Sequence, residues 1–130
     1  MARVLVISWE GDARTQVIEA FDEAGHEVEQ EEPRDSAVGK AKSMLPDVIV
    51  VDLGEQPAHG REVARVLAKT KATRDLPMVL YGVDAETEPR ARTAAPRAVV
   101  ISQRAPKAVM SAVKKALNFR IRDYDDEVQS

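Results

Sequence analysis

The sequence predicts a doubly wound α/β domain built on a five-stranded parallel sheet. Five short apolar runs recur along the 130 residues. Four of them are continuous rather than alternating, as in strands covered by helices on both faces. The segments between them carry apolar residues at helical spacing.

The elements follow in order. Val4-Leu5-Val6-Ile7 is the first strand. In residues 12–24, Val17, Ile18, Phe21 and Ala24 share one helical face, and Gly25 follows as a C-terminal stop. Residues 26–29 make a weaker second strand. A second helix can be capped by Asp35 or Ser36 and ends before Pro46. Val48-Ile49-Val50-Val51 is the third strand and leads directly into Asp52. Residues 60–69 place Val63, Val66 and Leu67 on one helical face. Pro77 introduces the fourth strand, Met78-Val79-Leu80-Tyr81, where a missing N–H costs little. Residues 87–96 contain Pro89 and Pro96, so a helix there is short and begins at Glu88 or Pro89. Ala98-Val99-Val100-Ile101 is the fifth strand. Pro106 suits the first turn of the last helix, which buries Val109, Met110, Val113, Ala116 and Leu117. The alternation implies right-handed crossovers and helices on both faces. One domain over residues 1–118 is expected, followed by a charged tail over 119–130. Phe119-Arg120-Ile121-Arg122 extends the last helix, and residues 123–130 are expected to fray.

Composition excludes several function classes. There is no cysteine, so disulfides, thiolate metal sites and cysteine nucleophiles are ruled out. Nineteen basic and 22 acidic residues give a net charge of −3, which offers no global attraction to nucleic acid or an anionic membrane. The longest apolar runs are strand-sized, far short of a membrane span. Met1-Ala2-Arg3 leads straight into a strand, so no signal peptide is expected. The expected location is cytoplasmic.

In a sheet of this kind ligands sit beyond the carboxyl ends of the strands. Those ends carry Ser8-Trp9-Glu10, Asp52-Leu53-Gly54, Gly82-Val83-Asp84 and Ser102-Gln103. Asp52 is a carboxylate closing a wholly apolar strand. Taken alone, such an acid serves equally well as a loop or helix cap.

The surrounding residues add a resemblance. Pro46-Asp47-Val48-Ile49-Val50-Val51-Asp52-Leu53, then Gly60, then Arg61-Glu62-Val63 and Thr73-Arg74-Asp75-Leu76-Pro77-Met78-Val79-Leu80 resemble a response-regulator receiver domain. The resemblance covers residues 3 to about 118 and is most specific between Leu45 and Leu80. It implies the flavodoxin-like (βα)5 fold with strand order 2-1-3-4-5. It also implies that Asp52 occupies the position of the aspartate that a histidine kinase phosphorylates. In that family an acid pair after strand one holds a divalent cation, a Thr or Ser ends strand four, and a Lys ends strand five.

The sequence departs from that pattern at each of the other positions. The acid pair falls on Ser8 and Trp9, with Glu10 as the third, less critical acid. The hydroxyl position falls on Gly82 and the lysine on Ser102. The Lys-Pro dipeptide is absent, and the proline after the phosphoacceptor is displaced to Pro57. A hard cation needs several oxygen ligands. Only Glu10 and Asp52 are placed to hold one, with Asp12 and Asp84 as loop acids that can swing inward, so bound magnesium is not expected. Losing the cation forfeits several kcal/mol of transition-state stabilisation. Losing the lysine contact removes about 1.5–3 kcal/mol more. Together these slow phosphoryl transfer by several powers of ten.

Two readings therefore compete. The first is a signalling protein-interaction module, a degenerate receiver that is no enzyme and works without standard phosphorylation. The second is a receiver phosphorylated at Asp52 through an unusual site. A small-molecule binder on the same fold finds little support: Ser8-Trp9-Glu10-Gly11-Asp12 has one glycine and two acids, and no nucleotide-binding glycine motif is present. Trp9, the only tryptophan, either packs locally, over the vacated acid pocket or against the Ser102 loop, or anchors a partner. Val100 stands where the family carries its switch aromatic. His59 lies in the loop after Asp52, where a solvated histidine is expected. Arg90, Arg92, Arg104 and Lys107 make the late part of the chain basic. In the family that region binds partners, and copies of the domain pair there as homodimers. The expected partner is thus a protein, with no role for nucleic acid or membrane.

Overall fold

The fold is described by a computed structural model covering the backbone of residues 1–129 and the side chains of residues 1–118. Ten elements alternate along the chain. They are β1 (Arg3–Ile7), α1 (Asp12–Glu23), β2 (Glu27–Glu31), α2 (Asp35–Met44), β3 (Val48–Asp52), α3 (Pro57–Lys69), β4 (Met78–Tyr81), α4 (Glu88–Ala94), β5 (Val99–Val100) and α5 (Pro106–Gln129). All strand pairs are parallel, and the sheet order is β2-β1-β3-β4-β5, as expected.

The period-two alternation of the strands divides the interior into two cores. Leu5, Ile7, Ile49, Val51 and Leu80 face α2, α3 and α4. Val4, Val6, Val48, Val50, Val79 and Tyr81 face α1 and α5. All five residues of β3 are buried, which is why that run reads as uninterrupted apolar sequence up to its final carboxylate. β2 lies at the sheet edge and reads Glu-Val-Glu-Gln-Glu, and Val28 packs against the α1–α5 core. Charges along an exposed edge discourage pairing with another chain.

Several boundaries differ from the sequence expectation. β2 is shifted toward Glu31 because it runs in register with β1, from Arg3 opposite Glu27 to Ile7 opposite Glu31. His26 stays outside the strand. Its Nδ1 accepts a hydrogen bond from the Ala2 N–H at 2.9 Å, and its ring meets Phe21 edge-on. Neither Asp35 nor Ser36 caps α2. Arg34 holds the N-cap position with no side-chain cap, and the Ser36 hydroxyl donates to Glu31 instead. α3 begins at Pro57 rather than Gly60, because proline's fixed φ suits the first helical turn. β5 is reduced to Val99–Val100, with Ala98 and Ile101 outside it. No glycine or proline interrupts the chain after Pro106, and α5 passes the expected helix end at Arg122 to reach Gln129. Residues 123–129, where fraying is expected, lie in that helix, and residue 130 lies outside the described residues.

Gly60 sits in α3 where a Cβ would collide with the Leu53 side chain and stand 3.1 Å from the Asp52 carbonyl oxygen. Its missing side chain lets the helix close on the end of β3. The turn that brings the chain back to β4 is fixed by Thr73, which is fully buried and donates its hydroxyl to the Leu67 carbonyl at 2.7 Å. Thr73→Val keeps the shape and leaves that carbonyl without its donor. It should lower unfolding stability by about 1–2 kcal/mol, read from the midpoint of a urea transition.

Candidate functional site

β1, β3 and β4 end side by side, and their parity sends Ser8, Asp52 and Tyr81 toward the α1–α5 side of the sheet. Asp52 closes β3 and is 3% exposed. An isolated carboxylate at that depth would be costly, and three donors satisfy it. The Gly54 N–H donates to Oδ1 at 2.7 Å. The Ser8 hydroxyl donates to Oδ2 at 3.0 Å. The Arg104 guanidinium donates to the same Oδ2 at 2.8 Å, forming an ion pair.

Arg104 reaches Asp52 because of the backbone beneath it. Past the end of β4 the Gly82 N–H bonds the Gln103 carbonyl and the Val83 N–H bonds the Ile101 carbonyl, so the β5–α5 loop is laid against the end of β4. The arginine side chain then crosses two glycines. A Cβ on Gly54 would stand 2.5 Å from Arg104 Nε, and one on Gly82 would stand 3.0 Å from Arg104 Cγ. Gly82 also has φ +70°, a conformation glycine adopts without strain. Partial burial alone would make the arginine easier to deprotonate, but the hydrogen bond and charge of Asp52 outweigh it and hold its pKa above the usual value.

Tyr81 lies opposite Asp52 in the β3–β4 register and is 1% exposed. Ser8 and Asp52 lie near its hydroxyl, which has no hydrogen-bond partner of good geometry. Burial, and then the neighbouring Asp52 charge, push the phenol far above its usual range.

The other residues singled out from sequence divide in two groups. Ser8 joins Asp52, and Gly82 forms part of the arginine's bed. Glu10 and Ser102 are exposed and make no hydrogen bond to Asp52. Asp12 begins α1. Asp84 accepts the Thr87 N–H at 2.9 Å ahead of α4, a bond that holds its carboxyl below the usual range. Trp9 is half-buried, with the Arg34 guanidinium 5.1 Å over its ring and His59 edge-on at 5.8 Å. Its ring therefore packs toward the start of α2 and the first turn of α3, and His59, though exposed, has a partner. Arg92 pairs with Glu88 on α4, and Lys107 is exposed in the first turn of α5.

Arg104 is the residue whose role sequence reasoning missed. In sequence it groups with the basic surface, two positions beyond the Ser102 aligned with the family lysine. The available signal was the coincidence of Gly54, Gly82 and a nearby arginine on adjacent strand ends. Among the described residues no group of three His, Asp or Glu side chains could hold a metal ion, and no helix is long and apolar enough to cross a membrane.

No family model matches the chain. It is 30% identical over 90 residues to the phosphate regulon transcriptional regulatory protein PhoB of Klebsiella pneumoniae and, over the same length, to that of Escherichia coli. The match spans 69% of this chain and 39% of each relative. Among solved structures it resembles the chemotaxis response regulator CheY4 of Vibrio cholerae, with a TM-score of 0.76 and 20% identity over 90% of this chain and 99% of that one. It also resembles the signal receiver domain of a modulated diguanylate cyclase from Desulfovibrio desulfuricans, with a TM-score of 0.70 and 23% identity over 95% and 98% of the two chains.

Two outcomes are expected at this site. Arg104→Gln should destabilise the fold by about 2 kcal/mol, less than the 3–5 kcal/mol typical of breaking a fully buried pair, because the arginine is 37% exposed. Adding Asp52→Asn should recover part of that loss in a double-mutant cycle followed by urea unfolding. Above pH 10 the unfolded chain releases the Tyr81 proton and the folded chain retains it, so stability falls as pH rises, by up to about 1.4 kcal/mol per unit. Tyr81→Phe should flatten that alkaline slope relative to wild type and leave neutral-pH stability unchanged or higher.

Proposed function

We propose that this chain, which belongs to the response-regulator receiver domains in fold and sequence, is a signalling protein-interaction module whose aspartate is neutralised by Arg104 instead of being phosphorylated. The observation that carries this reading is the occupancy of Asp52. Each carboxylate oxygen accepts a hydrogen bond, and Oδ2 accepts two, one of them from a cation.

To attack a phosphoryl donor, the carboxylate needs a free lone pair and an incoming phosphorus within reach. Attack through Oδ2 would require Arg104 to leave it, at the cost of a charge-assisted hydrogen bond worth about 1.5–3 kcal/mol, while the lone pair left on Oδ1 lies beside the Gly54 N–H. The divalent cation that serves receivers does not fit these residues. Ser8 and Trp9 stand in place of the acid pair, and a guanidinium already lies against the one buried carboxylate among the described residues. In receivers the lysine and the strand-four hydroxyl respond to a phosphoryl group. In this chain Arg104 ties the β5–α5 loop to β3 through a side chain of the loop itself.

Receiver domains work through contacts with signalling partners, and this domain engages a protein partner without catalytic turnover of its own. The test is incubation with magnesium and acetyl phosphate, followed by intact-mass measurement. The expected result is no stoichiometric phosphoryl adduct on the wild type. A full adduct that Asp52→Asn abolishes would overturn the proposal and restore the alternative of an active phosphoacceptor.

A further inference from the structure

The basic surface expected across the late part of the chain is redistributed in the folded molecule. Arg104 is bound to Asp52, and Arg92 is paired with Glu88. Arg90 instead joins a groove of about 550 Å³ between α3 and α4. Arg61, Arg65 and Lys69 line the α3 wall at successive four-residue steps, and Arg90 lines the other. Ala58, Pro89 and Ala94 supply an apolar floor. The one acid in the groove is Glu62, which bonds Arg65. The side chains of Arg61, Lys69 and Arg90 make no ion pair or hydrogen bond among the described residues. Asp84 feels the charge of Arg61 only through space. Four cations against one carboxylate thus converge on one groove of a protein whose net charge is −3.

The geometry points to this groove as the docking site for an acidic, extended segment of a partner protein. Four residues of helix rise about 6 Å. Alternate side chains on one face of an extended chain repeat at about 6.6 Å. A segment with carboxylates at every second position therefore keeps step with the Arg61–Arg65–Lys69 row and meets Arg61 and Lys69, the middle cation being already held by Glu62, while Arg90 closes over it from the opposite wall. Nucleic acid is disfavoured because no aromatic side chain lines the groove for base stacking and the protein as a whole is acidic. A second copy is disfavoured because the acidic run at the sheet edge is already engaged. Glu27 pairs with Arg3, Glu29 with Lys40 and Glu32 with Arg34, and Glu31 accepts from Ser36.

This inference rests on the reading of the domain as a protein-interaction module. It is tested with a labelled Glu-Ser-Glu-Ser-Glu-Ser peptide, titrated against the full chain by fluorescence anisotropy. Saturable binding that weakens with salt is expected. Arg61→Glu with Arg90→Glu should weaken it roughly tenfold or more, whereas Arg92→Glu, outside the groove, should leave it unchanged. Thermal unfolding of the variants checks that the fold is retained. Absence of binding, or equal affinity for the double variant, would overturn the proposal. So would tighter binding of a single-stranded oligonucleotide of equal charge, or concentration-dependent self-association that the double variant removes. A phosphoryl adduct at Asp52 would overturn the reading of the strand-end site without touching the groove, and failed peptide binding with no adduct would overturn the groove alone.

Discussion

The buried ion pair between Asp52 and Arg104 organises the carboxyl end of the sheet. A carboxylate 3% exposed at the end of the central strand is tolerable only with donors on it. Two come from the immediate neighbourhood, the Gly54 N–H and the Ser8 hydroxyl. The third comes from a loop 52 residues further along the chain. That long-range contact sets where the β5–α5 loop lies and why Gly54 and Gly82 are glycines. It also explains how β5 can be only two residues long. The loop hydrogen bonds at Gly82 and Val83, together with the arginine, do part of the work that a longer strand would do.

The two-core architecture supplies the rigid frame on which this contact depends. Continuous apolar strands buried on both faces leave β3 little freedom to shift, so packing as well as polar contact holds Asp52 in place. Tyr81 marks the boundary between the two regimes. Its ring belongs to the α1–α5 core and its hydroxyl to the polar cluster, where it gains no hydrogen bond. The phenol is a stability cost at the site, and its ring is the part that contributes to packing.

Most of the fold was legible in the sequence because periodicity and punctuation agreed. Val48 to Val51 could be little but a buried strand, and Gly25, Pro77 and Pro106 marked ends that the structure keeps. The misplaced boundaries share a physical cause. β2 takes its limits from pairing with β1, and α3 from a proline in its first turn, so neither follows from local hydrophobicity. The site was half legible. Asp52 was visible as the acid closing an apolar strand, and the departures at Ser8, Trp9, Gly82 and Ser102 were visible against the family pattern. Arg104 was not, because an arginine in a loop near other cations looks like surface charge until the fold brings two glycines under it. The same fold explains why Arg90 and Arg92, two residues apart, have different surroundings.

The glycine pair beneath Arg104 also constrains the order in which this sequence can change. A hydroxyl-bearing residue at position 82 would put its Cβ against the Arg104 stem on a backbone with φ +70°, and any side chain at position 54 would meet the guanidinium itself. Replacing Arg104 first strands Asp52, and replacing either glycine first displaces Arg104. Each single replacement among these three positions therefore passes through a less stable protein. The three positions are bound together epistatically, and that mutual dependence works as a ratchet: none of the three can change alone without disturbing the other two.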